Sequence, residues 1–151
     1  MRLMEIKLNQ VVESEFEAVL SVVKEGLFSH VDAVFGWDDQ FQRELLSNDY
    51  EPHWFYWVYR GSQRVGMLCF KPYDNAYHVH LLIVIPEFQG QGVGKCIMDH
   101  VHHLAKHELR DNVTLSSFMR NEKAVKFYKQ LGYEIKEADE HFYSLALELA
   151  S

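Results

Sequence analysis

The 151-residue chain is short of several things, and each shortage narrows what it can be. Its two cysteines, Cys69 and Cys96, make no disulfide framework and fit a reducing compartment. Basic residues are the minority, 15 against 22 acidic ones, for a net charge of −7. That balance argues against nucleic acid as the main partner. No apolar stretch is long enough to span a bilayer. Met1 to Leu20 lacks the continuous apolar core of a signal peptide and carries several acids. Internal repeats, linkers and low-complexity tracts are missing too. The expectation is one soluble domain over residues 1–151, cytoplasmic, bound to no membrane, and a monomer or homodimer.

What is present is an ordinary hydrophobic share, 48%, enough for a sizeable core without staples. Ten Phe, eight Tyr and three Trp predict a core and pocket rich in aromatics.

The order of elements follows from periodicity and turn chemistry. Ile6 to Val12 reads as a strand. Ser14 has the look of an N-cap with Glu17 three residues on, predicting a helix to about Leu27. Ser29 to Gly36 reads as loop. Asp38 or Asp39 caps a short second helix in which Phe41 and Leu45 share a face. His53 to Tyr59 and Val65 to Phe70 are strands joined at Arg60-Gly61-Ser62-Gln63. Pro72 to Asn75 turns the chain into the longest strand, Tyr77 to Ile85. After a glycine-rich loop, Val93, Ile97, Val101 and Leu104 repeat at helical spacing. Asn112 to Phe118 is a strand reached through a helix, so it should lie parallel to the strand before the loop. Asn121 to Leu131 is a helix ended by Gly132, and Tyr143, Leu145, Leu147 and Leu149 alternate as a closing strand. The sum is an α+β domain: one twisted, mixed but mostly antiparallel sheet of six to seven strands, flanked by about four helices.

One segment carries chemistry. Leu81 to Ile85 stops at Pro86, and Gln89-Gly90-Gln91-Gly92-Val93-Gly94-Lys95 opens the amphipathic helix. Glycines let the backbone come close to a ligand. The first amides of a helix lack partners inside it and sit at the positive end of its dipole. Such a turn binds phosphate, so a pyrophosphate-bearing cofactor is expected here. A dinucleotide fold would place such a loop after its first strand, whereas several hairpin strands come first here.

The pattern resembles the GCN5-related N-acetyltransferase (GNAT) superfamily, acetyl-CoA-dependent enzymes with one mixed sheet. The family signature Gln/Arg-x-x-Gly-x-Gly/Ala stands here as Gln89-Gly90-Gln91-Gly92-Val93-Gly94. The segment from Asn121 through Tyr128 to Leu131-Gly132-Tyr133 resembles its second motif. The resemblance is close over residues 76–137 and elsewhere extends to element order.

It implies the following roles. The backbone of Leu82, Ile83 and Val84 pairs with the pantetheine arm as an extra strand would. An amide near Val84 faces the thioester carbonyl, and such a donor is worth about 3 kcal/mol to a transition state. The amides of Gly90, Gln91, Gly92, Val93, Gly94 and Lys95 wrap the pyrophosphate, beside Gln89. Asn121 contacts the cofactor, and Tyr128, two helical turns on, protonates the departing sulfur. The competing reading of Tyr128 is a core aromatic. His78 and His80 project to one face of their strand, and one branch of the family uses such histidines through water as the base. They can equally be structural. Another branch uses a Glu five residues before the Asn; that position is Ser116 here, so this route to a base is missing.

The acceptor region is expected between the first helices, roughly Phe28 to Tyr50, with Asp32, Trp37 and Asp38 facing a cationic amine. Helix capping by the aspartates and packing by Trp37 is the competing explanation. His103 and His107 have an i, i+4 zinc spacing but no accompanying motif, so they read as a solvated face with no metal. Cys96 sits where a thiolate is favoured, yet direct transfer needs no covalent intermediate. The sequence thus points to an N-acetyltransferase moving acetyl from acetyl-CoA to a primary amine, of a small molecule, polyamine or peptide, in a ternary complex. A non-catalytic acyl-CoA sensor is the alternative.

Overall fold

Alternating and continuous apolar runs set the strands, and the computed structural model, described for residues 5–149, arranges seven of them in one sheet ordered β1-β2-β3-β4-β5-β7-β6. The strands are β1 (Lys7–Gln10), β2 (Phe55–Arg60), β3 (Gln63–Tyr73), β4 (Ala76–Val84), β5 (Asn112–Phe118), β6 (Glu134–Ala138) and β7 (Phe142–Glu148). Four α-helices stand among the described residues: α1 (Phe16–Phe35), α2 (Asp39–Asn48), α3 (Val93–His107) and α4 (Glu122–Gln130). β1 with β2, β2 with β3, and β7 with both β5 and β6 are antiparallel. β4 and β5 are parallel, as the intervening helix predicted, in register over Ala76–Val79 and Asn112–Leu115.

The chain forms two compact units. Among the described residues the first comprises 5–69 and 81–96, the second 70–80 and 97–149. The core of the first draws Val19, Leu20 and Val23 from α1, Leu46 from α2, Phe55 and Trp57 from β2, Met67 and Cys69 from β3, and Ile83 from β4. In the second, α3 buries Ile97, Met98, Val101 and Ala105 completely, matching the helical spacing, and β5 buries Val113 and Leu115. Each large aliphatic side chain so buried contributes about 1.5–3 kcal/mol.

Several sequence expectations are corrected. The first strand is shorter than Ile6 to Val12. The first helix is entered through a 3₁₀ turn at Glu13–Glu15, not through a Ser14 cap; Glu15 Oε1 accepts from the Val12 amide at 2.9 Å. It runs on to Phe35 rather than ending near Leu27, because Val23, Leu27 and Val31 continue one apolar stripe while Ser29 faces out. Gly36, at φ +79°, ends it. On α2 the buried residues are Gln42 and Leu46; Phe41 is 58% exposed. Pro72 lies inside β3, and the turn is confined to Asp74 and Asn75. β6 has one half-buried apolar residue, Ile135, and its sequence gave no period to read. No helix among the described residues is long and apolar enough to cross a membrane.

Candidate active site

In the first unit, β4 stops at Val84, and Pro86–Phe88 makes one 3₁₀ turn. The chain then passes through Gly90 and Gly92 at φ +76° and +82°. Other residues pay to adopt this left-handed region. A Cβ built on either glycine meets nothing within 4 Å. Glycine is therefore demanded by conformation, and the space in front of both positions is open to a ligand. α3 starts at Val93, and Cys96 N–H is the donor that returns to Gly92 O, at 3.1 Å. Val93 and Gly94 occupy the first turn, where a helix offers no internal acceptors. Lys95 is exposed on the same turn.

The two glutamines of this loop shape it. Gln89 Nε2 donates to Val84 O at 2.9 Å, and Gln91 Nε2 to Glu87 O at 3.2 Å. On β4, Ile83 O lies 2.6 Å from where a Cβ of Gly66 would stand, and Ile85 N–H donates to Val65 O. The backbone of Ile83 thus faces β3. Neighbouring residues of a strand point their N–H and C=O to opposite edges, so Leu82 and Val84 turn theirs away from β3. Of the three strand residues expected to pair with a pantetheine arm, Ile83 is the one whose backbone turns toward β3. Gln89 occupies the Val84 carbonyl on that edge, to which the amides of Leu82 and Val84 also turn.

In the second unit, Asn121 caps α4, its Oδ1 accepting from the Ala124 amide at 3.2 Å. Tyr128 is 8% exposed, its ring 5.0 Å from Phe127 and 5.5 Å from Tyr133. Burial raises its hydroxyl well above the ordinary phenol range, so it keeps its proton. Tyr133 is raised by the same cause, with Tyr128 adding to it, and its hydroxyl lies 2.7 Å from His102 Nε2. Burial lowers His102. His102 is half-buried, a position that shows only once Tyr133 is beside it.

His78 and His80 do share a face of β4, with ring centroids 4.7 Å apart. His78 Nδ1 lies 2.7 Å from Thr114 Oγ1. Burial, then Lys71, lowers His78. Burial, then His78 and Lys71, lowers His80 to about 4. Both shifts favour the neutral ring.

Residues 51–135, more than half of the chain, match the family model described as acetyltransferase (GNAT) domain. The chain belongs to the GNAT acetyltransferase family. It is 30% identical over 94 residues to the peptidyl-lysine N-acetyltransferase YjaB of Salmonella typhimurium, covering 61% of this chain and 59% of the relative. Over 59 residues it is 37% identical to an uncharacterized N-acetyltransferase of Methanocaldococcus jannaschii, covering 39% of this chain and 26% of that one. The chain therefore spans about three fifths and about a quarter of these two curated relatives. The fold matches the PaiA N-acetyltransferase of Thermoplasma acidophilum, solved in complex with coenzyme A, with a TM-score of 0.76 at 14% identity over 96% of this chain and 99% of that one. Acetyl-CoA is the donor in this family.

The GNAT signature accounts for the loop but not for one cation beside it. Arg60, in the first unit at the end of β2, donates from Nη2 to Gln91 Oε1 at 3.2 Å, and its guanidinium lies 5.6 Å from the Phe88 ring centroid. Sequence reading saw Arg60 only as part of a hairpin turn.

The α1–α2 corner is also well defined. Asp32 Oδ1 accepts from the Trp37 amide at 3.0 Å, and Asp38 Oδ1 caps α2 through the Phe41 amide at 3.0 Å. Trp37 packs at 5.5 Å on Phe28, and Lys24 Nζ stands 5.7 Å from its ring. Asp39 accepts from the Trp37 indole N–H and then from Lys24, which hold its carboxyl below the usual range. The three residues expected to face an acceptor are thus brought together, and each already has a structural task.

Proposed function

We propose that this chain is an acetyl-CoA-dependent N-acetyltransferase acting by direct transfer to a primary amine within a ternary complex. The observation that carries this is the loop at Gly90 and Gly92, held at positive φ with open space before both and leading into the first turn of α3. Family membership and the match to a coenzyme A complex support the same donor. In the reaction a C–N bond forms, the C–S bond breaks, the amine gives up one proton and the thiolate gains one.

This chain's residues divide that work. The amides of Gly90 to Lys95 hold the diphosphate, and the backbone of Leu82 and Val84 takes the pantetheine arm, with the Val84 amide aimed at the thioester carbonyl. Tyr128 serves the leaving group. Its raised pKa makes it a hydrogen-bond donor to the sulfur at every working pH rather than a group that ionises in advance. His80, passing to His78, takes the amine proton. At about 4, His80 is too weak a base to strip a free alkylammonium, whose pKa is ~10.4. It acts on the nitrogen once bonding to carbon has made that proton acidic. The acceptor is a small amine, a polyamine or a peptide amine; the name of the Salmonella relative supports lysine side chains among these.

The test adds acetyl-CoA and a panel of amines and peptides and follows free thiol. Amine-dependent thiol release is expected, faster as pH rises and more amine is neutral. Replacing His78 and His80 by Gln should lower the rate about 10²–10⁴-fold, the usual worth of general acid–base catalysis. Tight coenzyme A binding with no turnover on any amine would replace this reading by a sensor.

A further inference from the structure

The backbone amides of the loop carry partial charge only, while coenzyme A brings several full negative charges to a chain whose net charge is −7. A neighbouring cation is called for, and one is built in from outside the motif. Resting on the donor proposed above, we infer that Arg60 is a phosphate-binding residue for coenzyme A. Three features carry this. Arg60 sits at a hairpin end, where Gly61 at φ +61° turns the chain and fixes its direction. Its guanidinium lies over the face of Phe88, which steadies a planar cation without consuming its donors. Only Nη2 is engaged with Gln91 Oε1, so the fork keeps further N–H groups for oxygen ligands on the same loop as Gly90 and Gly92. A staple alone would not need a group with five donors. Gln91 is the link: its amide nitrogen binds the Glu87 carbonyl and its oxygen the guanidinium, so a shift of the loop carries Arg60 with it.

Calorimetry with coenzyme A at low and high salt tests this, on wild type, Arg60→Gln and Arg60→Lys. Arg60→Gln should weaken binding about tenfold at low salt and flatten its salt dependence, since one screened charge has gone. Arg60→Lys keeps the charge but not the planar fork and should fall between the two. KM for acetyl-CoA should rise with KM for the amine unchanged. Two results overturn the inference alone: Arg60→Gln binding within about twofold of wild type, or binding weakened with its salt dependence intact, the mark of a loop staple. Wild type that ignores coenzyme A overturns the proposed donor, and this inference with it.

Discussion

The glycine loop and the α1–α2 corner belong to the same unit and were both expected to touch ligands, yet they are built in opposite ways. At the loop, polar side chains serve the backbone and leave space in front of it: Gln89 and Gln91 bind carbonyls, and nothing stands before Gly90 or Gly92. At the corner the polar side chains serve one another. Asp38 caps α2, Asp32 holds the Trp37 amide, Asp39 binds Lys24 and Trp37, and Lys24 covers the Trp37 ring. A site made of main chain can be both satisfied and open. One made of side chains must first release them from the fold. The opening at the loop is therefore readable from geometry, whereas a ligand at the corner would first have to displace a resident partner.

The strongest way to break this comparison is to fill the loop. Gly92→Val puts a β-branched residue at φ +82°. Such strain costs about 1–3 kcal/mol, and the new side chain occupies the open space, so coenzyme A affinity should fall about a hundredfold by calorimetry. Equal binding would mean that the opening is not the ligand's. A smaller effect comes from behind. Gly66→Ala would drive a Cβ into Ile83 O, a backbone atom that cannot swing aside. Overpacking of this kind costs about 1–3 kcal/mol, so the thermal midpoint should drop and coenzyme A should bind about tenfold more weakly as β4 shifts. A lowered midpoint with unchanged affinity would separate the strand from the loop.

How much was legible follows the same division. β5 was read correctly from Asn112 to Phe118, and α3 from its buried Ile97 and Val101, because a period of two or of 3.6 is written into consecutive residues. The shape of the loop was legible because glycines between a strand and a helix mark a turn that needs positive φ, as Gly90 and Gly92 have. The second half of α1 was not: Ser29 and His30 resemble a loop until the stripe through Val31 is seen to continue. β6 was lost because a strand at the sheet's edge, paired only with β7, needs little apolar patterning. Arg60 beside Gln91, and His102 beside Tyr133, are each 31 residues apart, and no local pattern announces such a meeting. The resemblance supplied roles for Asn121 and Ile83; it could not supply the capping bond and the β3-facing backbone that qualify them.

The gentlest test sharpens the corner. Lys24 Nζ lies 3.1 Å from Asp39 Oδ1 and 5.7 Å from the Trp37 ring, the position a cationic amine would take there. Both partners of the ion pair are substantially exposed, so Lys24→Met should leave the thermal midpoint almost unchanged. It removes the resident cation while keeping an apolar stem over Phe28. An exposed cation–π contact is worth about 0.5–1 kcal/mol, so if an acceptor's ammonium replaces Lys24, KM for cationic amines should fall about two- to fivefold. KM for an uncharged amine and the affinity for coenzyme A should stay put, because neither uses this ring. Were KM unmoved for charged and neutral amines alike, Asp32, Trp37 and Asp38 would be scaffold only, and selectivity for the acceptor would have to lie elsewhere in the chain.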